Sequence, residues 1–97
     1  MEYGDYKKIP NLLRKYRKAN GFTQTEVAKI LGIKSTSKIS LWEKGECIPN
    51  IINALKISIL YRVMVDALFI DHLRCLREEM KKRESDYLKK KITTLHK

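Results

Sequence analysis

Residues 23–45 read TQTEVAKILGIKSTSKISLWEKG, and the order of start and stop signals in this stretch decides the fold. Thr23 is followed three residues later by Glu26, the spacing at which a hydroxyl and a carboxylate each accept from the other residue's backbone N–H at the first turn of a helix. Phe22 and Val27 flank that turn as an apolar staple, which fixes the direction from which the chain enters. The helix so begun runs to Leu31 and stops at Gly32. After the turn, Ser35 or Thr36 supplies the cap of a second helix. There Ile39 and Trp42, three apart, share the buried face, and Gly45 lies beyond the end. Ala28 is small where the two helices must cross.

Working outward, the 3.6-residue periodicity places Ile9, Leu12, Leu13 and Tyr16 on one face of a first helix, residues 9–19, ended by Asn20-Gly21. A fourth helix follows Pro49, capped by Asn50, and reaches about Leu60. The last spans roughly Val65 to Ile92, with Val65, Leu68, Phe69, Leu73, Leu76 and Met80 as its apolar stripe. No stretch alternates apolar and polar residues for long enough to make a strand. The sequence therefore predicts an all-α fold of five helices. The final helix outruns such a body, because its second half, EEMKKRESDYLKKK, is mostly charged and must project or pack on a partner chain. Residues 1–8 form an N-terminal arm, 9–70 the body, and 71–97 a helical extension that could serve dimerisation.

Composition narrows the function. Ninety-seven residues with 43% apolar and 33% charged side chains make one small soluble domain. Such a chain buries roughly 65% of its unfolded surface. That leaves too little chain for an enclosed substrate cleft, and no Ser-His-Asp or Cys-His set is present, so the reading is that it is not an enzyme. The net charge is +10 and the isoelectric point about 9.8. Residues 1–64 hold 12 basic and 5 acidic side chains, and residues 65–97 hold 9 and 6. Such an excess points to a polyanion, nucleic acid before an acidic membrane surface. Cys47 and Cys75 with His72 and His96 show no ligand spacing, so no metal and no cofactor are expected. The opening MEYGDYKK leads into no apolar segment. A cytoplasmic protein with reduced, inert thiols is expected. No apolar run approaches the ~20 residues needed to cross a bilayer.

Two short helices joined by a tight turn, the second bearing small polar residues at its start, make the frame of a helix-turn-helix. The frame leaves the outer face of the second helix for the major groove of DNA. The segments LLRKYRKANGFTQTEVAKILGI (12–33), ISLWEKG (39–45), the helix after Pro49 and VDALF (65–69) resemble the helix-turn-helix domain of phage Cro and repressor proteins, the XRE-like family. The resemblance covers about residues 9–69 and implies a lambda-repressor-like fold. Gly32 and Glu43 stand one residue further apart than is usual in that family, which places an inserted residue in KSTS. Without the insertion, Lys38 would enter the core and Trp42 would face solvent.

By position, the resemblance implies that Thr23 and Gln24 approach the DNA backbone, that Thr36, Ser37, Ser40 and Leu41 face base edges, and that Lys34 and Lys38 meet phosphate or guanine. Ser35 and Lys44 complete the DNA-binding set. Hydroxyls both donate and accept, Leu41 suits a thymine methyl, and lysines neutralise phosphate. It also implies that Arg17 pairs with Glu43, a structural contact. The other bases of helix 1 (Arg14, Lys15, Lys18) read as a solvated face.

The expected function is sequence-specific binding of double-stranded DNA by a transcriptional regulator, a repressor, that inserts residues 36–44 as a homodimer on a palindromic operator, without a membrane or small-molecule effector. For the dimer, Ile52 and Ile59 lie seven apart on one helix face at positions that the family usually keeps polar. Ile48 precedes them, and Leu73, Leu76 and Met80 continue on the last helix. Exposed apolar patches mark partner surfaces. Two other readings stand beside this one. The domain could be an interaction module, such as an antitoxin docking a partner protein, or its last helix could lie on acidic membranes.

Overall fold

The computed structural model describes residues 9–95, and side chains as far as 93. The expected arm at 1–8 and His96 lie outside the described residues. Six helices follow one another: α1 (Leu13–Ala19), α2 (Gln24–Leu31), α3 (Thr36–Lys44), α4 (Ile51–Tyr61), α5 (Val65–Leu68) and α6 (Ile70–Leu95). Among the described residues there is no strand, and the fold is all-α.

Two boundaries depart from the sequence reading, and one backbone hydrogen bond bears on both. The first helix, expected from residue 9, begins at Leu13. Pro10 disfavours helical backbone at Ile9. The Asn11 carboxamide accepts from Leu13 N at 3.0 Å and donates to the Trp42 carbonyl at 2.9 Å. Leu12 N donates to the Leu68 carbonyl at 2.9 Å. Asn11 and Leu12 thus spend a donor each on a distant partner, and the Asn11 carboxamide oxygen caps the start of α1, instead of a further helical turn. The same Leu68 carbonyl is then diverted from its own helix, and the continuous helix expected over 65–92 breaks at Phe69 (φ −125°, ψ 39°) into α5 and α6. Hence there are six helices rather than five.

The caps of α2, α3 and α4 follow local chemistry with two exceptions. Thr23 and Glu26 form both bonds of the capping box, Thr23 N to Glu26 Oε1 at 2.8 Å and Glu26 N to Thr23 Oγ1 at 3.1 Å. Those bonds hold the Glu26 carboxyl below its ordinary pKa. Asn50 caps α4 by accepting from Asn53 N at 2.8 Å. At α3, however, neither Ser35 nor Thr36 caps by its side chain as expected: Ser35 occupies the N-cap, but its hydroxyl pairs with that of Ser37. The other exception is the end of α4. Gly32 closes α2 at φ 77°, where a side chain would be strained, yet α4 is closed by Arg62 at φ 57°.

The core gathers Leu13, Val27, Ala28, Leu31, Ile39, Trp42, Ile57, Tyr61 and Leu68. Ile39 and Trp42 are 2% and 4% exposed, whereas Lys38 faces solvent, the register that the inserted turn residue requires. α2 packs mainly on α3, α1 on α3, and α4 on α2 and α5. The molecule is 61 Å long and about 20 Å across because α6 projects, and residues 80–93 are exposed throughout. Among the described residues no helix is long and apolar enough to cross a membrane.

Candidate DNA-binding surface

The angle between α2 and α3 is held by a buried polar clamp. Arg17, on α1, donates from Nε to Glu43 Oε2 at 2.5 Å, from Nη2 to Glu43 Oε1 at 3.2 Å, and from Nη1 to the Phe22 carbonyl at 2.9 Å. The two side chains are only 10% and 5% exposed. The hydrogen bond to Glu43 raises the Arg17 pKa against the opposing effect of burial, so the guanidinium is fully charged. Gln24 Nε2, at the start of α2, donates to the same Glu43 Oε1 at 3.0 Å. One carboxylate therefore binds α1, α2 and α3 together. Tyr61 lies against this group: burial pushes its phenol up to about 12, with the Glu43 charge adding to that shift and the Arg17 charge opposing it.

With Ile39 and Trp42 turned inward, helical geometry puts Ser37, Ser40, Leu41 and Lys44 on the opposite side of α3. Ser37 and Lys44 are exposed, Ser40 and Leu41 half-buried. Lys38 is exposed on the flank, Thr36 is half-buried, and Lys34 and Ser35 are exposed in the turn. Thr23 is exposed at the start of α2, where its hydroxyl serves the capping box. Gln24, Ser40 and Lys44 line one shallow depression together with Arg14, Arg17 and Glu43. Exposed hydroxyls and lysines on a helix held from behind suit base edges and phosphates.

Two features escaped the sequence reading. Gln24 is a member of the clamp as well as a residue of the surface. Arg14, read as part of a solvated face, lines the depression between α1 and α3. A signal for it exists: Arg14 is three residues before Arg17, so if Arg17 turns toward α3, Arg14 shares that side of α1. The one acid in the depression, Glu43, is paired with Arg17, which leaves Arg14 and Lys44 as its uncompensated charges. Within residues 9–50 the acids are Glu26, Glu43 and Glu46, of which the first is in the capping box and the second in the clamp. Among the described residues no group of acids, histidines and cysteines could hold a metal ion.

The residues assigned to a dimer fall on α4, on α6 and in the loop that precedes α4. Ile52 and Ile59 on α4 are 58% and 77% exposed. Ile48 is half-buried in the loop before α4, Leu73 and Leu76 are half-buried on α6, and Met80 is exposed. Cys47 and Cys75 are exposed free thiols. The His72 ring packs edge-on against Phe69, with centroids 5.5 Å apart.

Among known proteins, the family described as Helix-turn-helix matches residues 13–68. No curated protein and no solved structure matches the chain. The matched span runs from the first residue of α1 to the last of α5 and contains the clamp, α2 and α3. That family is one of DNA-binding regulatory domains and not of enzymes. The chain, from α1 through α5, belongs to the XRE-like helix-turn-helix family of DNA-binding transcriptional regulators.

Proposed function

We propose that the protein is a cytoplasmic repressor that binds a palindromic operator as a homodimer, with α3 of each copy in the major groove. The observation that carries this reading is the outer face of α3, where Ser37, Ser40, Leu41 and Lys44 are presented by a helix anchored through Ile39, Trp42 and Glu43. Thr36, Ser37, Ser40 and Leu41 read bases. Lys34, Lys38 and Lys44 neutralise phosphate or meet guanine, and Thr23, Gln24 and Ser35 approach the backbone. Arg14 joins the phosphate contacts from α1. The dimer uses the apolar face of α4 with Ile52 and Ile59, Ile48 in the loop before it, and α6 through Leu73, Leu76 and Met80. In this reading the protein needs no cofactor or effector.

Selection of bound oligonucleotides from a random pool tests both halves of the reading. The expected product is an inverted repeat with half-sites about one turn, ~34 Å, apart. A single asymmetric site would overturn the palindrome, and no enrichment at all would overturn specific recognition.

The exposure of Ile51, Ile52, Leu55, Ile59 and Met64 also favours a second reading, in which α4 docks a different protein, as an antitoxin does, and DNA binding is secondary. Sedimentation equilibrium separates the two. A dimer at micromolar concentration supports the first reading, and a monomer, free and on DNA, supports the second.

A further inference from the structure

The distal half of α6 takes no part in the body, and yet it is not uniformly polar. Met80, Tyr87, Leu88 and Ile92 are 53%, 65%, 45% and 54% exposed. Leu73, Leu76, Met80 and Tyr87 fall on one face at spacings of three, four and seven. Arg83 and Glu84 fill the gap between Met80 and Tyr87 on that face.

Charge along α6 is divided lengthwise. Residues 70–80 hold two arginines against three acids, while residues 81–91 hold six basic residues against two acids. A parallel, in-register pair of such helices would lay the strongly positive half on its own copy, with Arg83, Glu84 and Lys91 each beside themselves. An antiparallel pair lays the positive half on the negative one. Its helix dipoles also oppose, which is favourable.

We propose that α6 pairs antiparallel with α6 of a second copy, in the register that sets Met80 against Met80 of the partner subunit. This rests on the homodimer reading above and gives it a geometry. In that register Leu73 meets Tyr87 of the partner subunit, and Arg77 lies beside Glu84 of the partner subunit. Arg83, bonded within its own helix to Glu79 at 2.8 Å, is flanked by Glu79 of the partner subunit. Between Leu73 and Tyr87 the hydrophobic stripe is then interrupted only where opposite charges meet, and the two-fold axis passes through Met80. Residue 70 lies ten positions before that axis in each copy. The two bodies are therefore rooted about 30 Å apart at 1.5 Å per residue, on the scale of the ~34 Å turn that separates two half-sites.

Disulfide trapping on the full chain tests the register, with Cys47→Ser and Cys75→Ser as background. Leu73→Cys and Tyr87→Cys combined in one chain, or mixed as two single variants, should give a covalent dimer under mild oxidation, and neither variant alone should. A dimer from either variant alone means parallel helices and overturns the proposal. Because replacing Leu73 could itself disturb the body, charge reversal gives an independent readout. Arg77→Glu should raise the dimer dissociation constant roughly tenfold, and Arg77→Glu with Glu84→Arg should restore it. Failure of the second change to restore pairing overturns the register. If sedimentation finds a dimer that neither traps nor responds to these charges, the α6 pairing fails while the homodimer reading survives. A monomer removes both.

Discussion

Glu43 bears more of the architecture than any other polar residue, because three helices converge on its carboxylate. Arg17→Ala leaves that charge buried without its main partner, and Glu43→Ala strands the guanidinium. Each should cost about 3 kcal/mol in denaturant unfolding, with a double-mutant cycle recovering a large coupling energy, against under about 1 kcal/mol for a surface pair. Tyr61 adds a pH dependence. Its neutral form is favoured in the fold, where its pKa is about 12 against an ordinary value of 10. Between those values the unfolded chain has lost a proton that the folded chain keeps, so stability is full below pH 10 and declines toward pH 12. The decline attributable to this residue is about 2 kcal/mol. The pH profiles of stability for the protein and for Tyr61→Phe, read from unfolding curves, should run parallel at neutral pH and part above pH 10, where only the protein loses this contribution. At Arg62, relief of left-handed backbone predicts that Arg62→Gly gains about 1 kcal/mol, read as a higher melting temperature.

At the scale of elements, α3 should specify and α1 should not. Thr36→Ala, Ser37→Ala or Lys38→Ala is expected to lower discrimination between operator and random DNA by about 1 to 3 kcal/mol where a base contact is lost. Arg14→Ala should weaken binding to both alike, measured as a flatter dependence of affinity on salt. Much of the element order was legible because its signals are local. Thr23 with Glu26, Gly32, Gly45 and Asn50 each act within a few residues, and Ile39 with Trp42 fixed the register of α3 despite the longer turn. The misplaced boundaries have the opposite cause. The start of α1 depends on Asn11 reaching Trp42 and Leu12 reaching Leu68, and the break at Phe69 depends on that second bond. Nothing near Phe69 in the chain announces it. The bond from Gln24 to Glu43 was hidden for the same reason, since 19 residues separate them.

For the whole molecule, the basic excess should govern affinity. If a dimer makes about 6 to 10 phosphate contacts, binding to duplex DNA should drop by roughly 10³ to 10⁵ between 50 and 200 mM salt, measured by titration at fixed temperature. A chain ending near residue 70 should keep the core, which lies wholly within α1 to α5, and lose affinity because each half-site is then held alone. Circular dichroism and DNA titration of that shortened chain check the two expectations separately.

The bond from Leu12 to Leu68 has one more consequence, in time rather than in space. The amide of Leu12 precedes every helix, a position at which deuterium from solvent would ordinarily replace the proton quickly. Here its acceptor belongs to a residue with no exposed surface, at the other end of the body. Isotope exchange at this site requires the first and last segments to part, and they part when the body opens as a whole. The Leu12 proton should therefore be among the slowest to exchange, keeping pace with the amides of Val27 and Ile57. Those of α6 beyond Met80 should be replaced within the dead time of the experiment in a protein too dilute to pair.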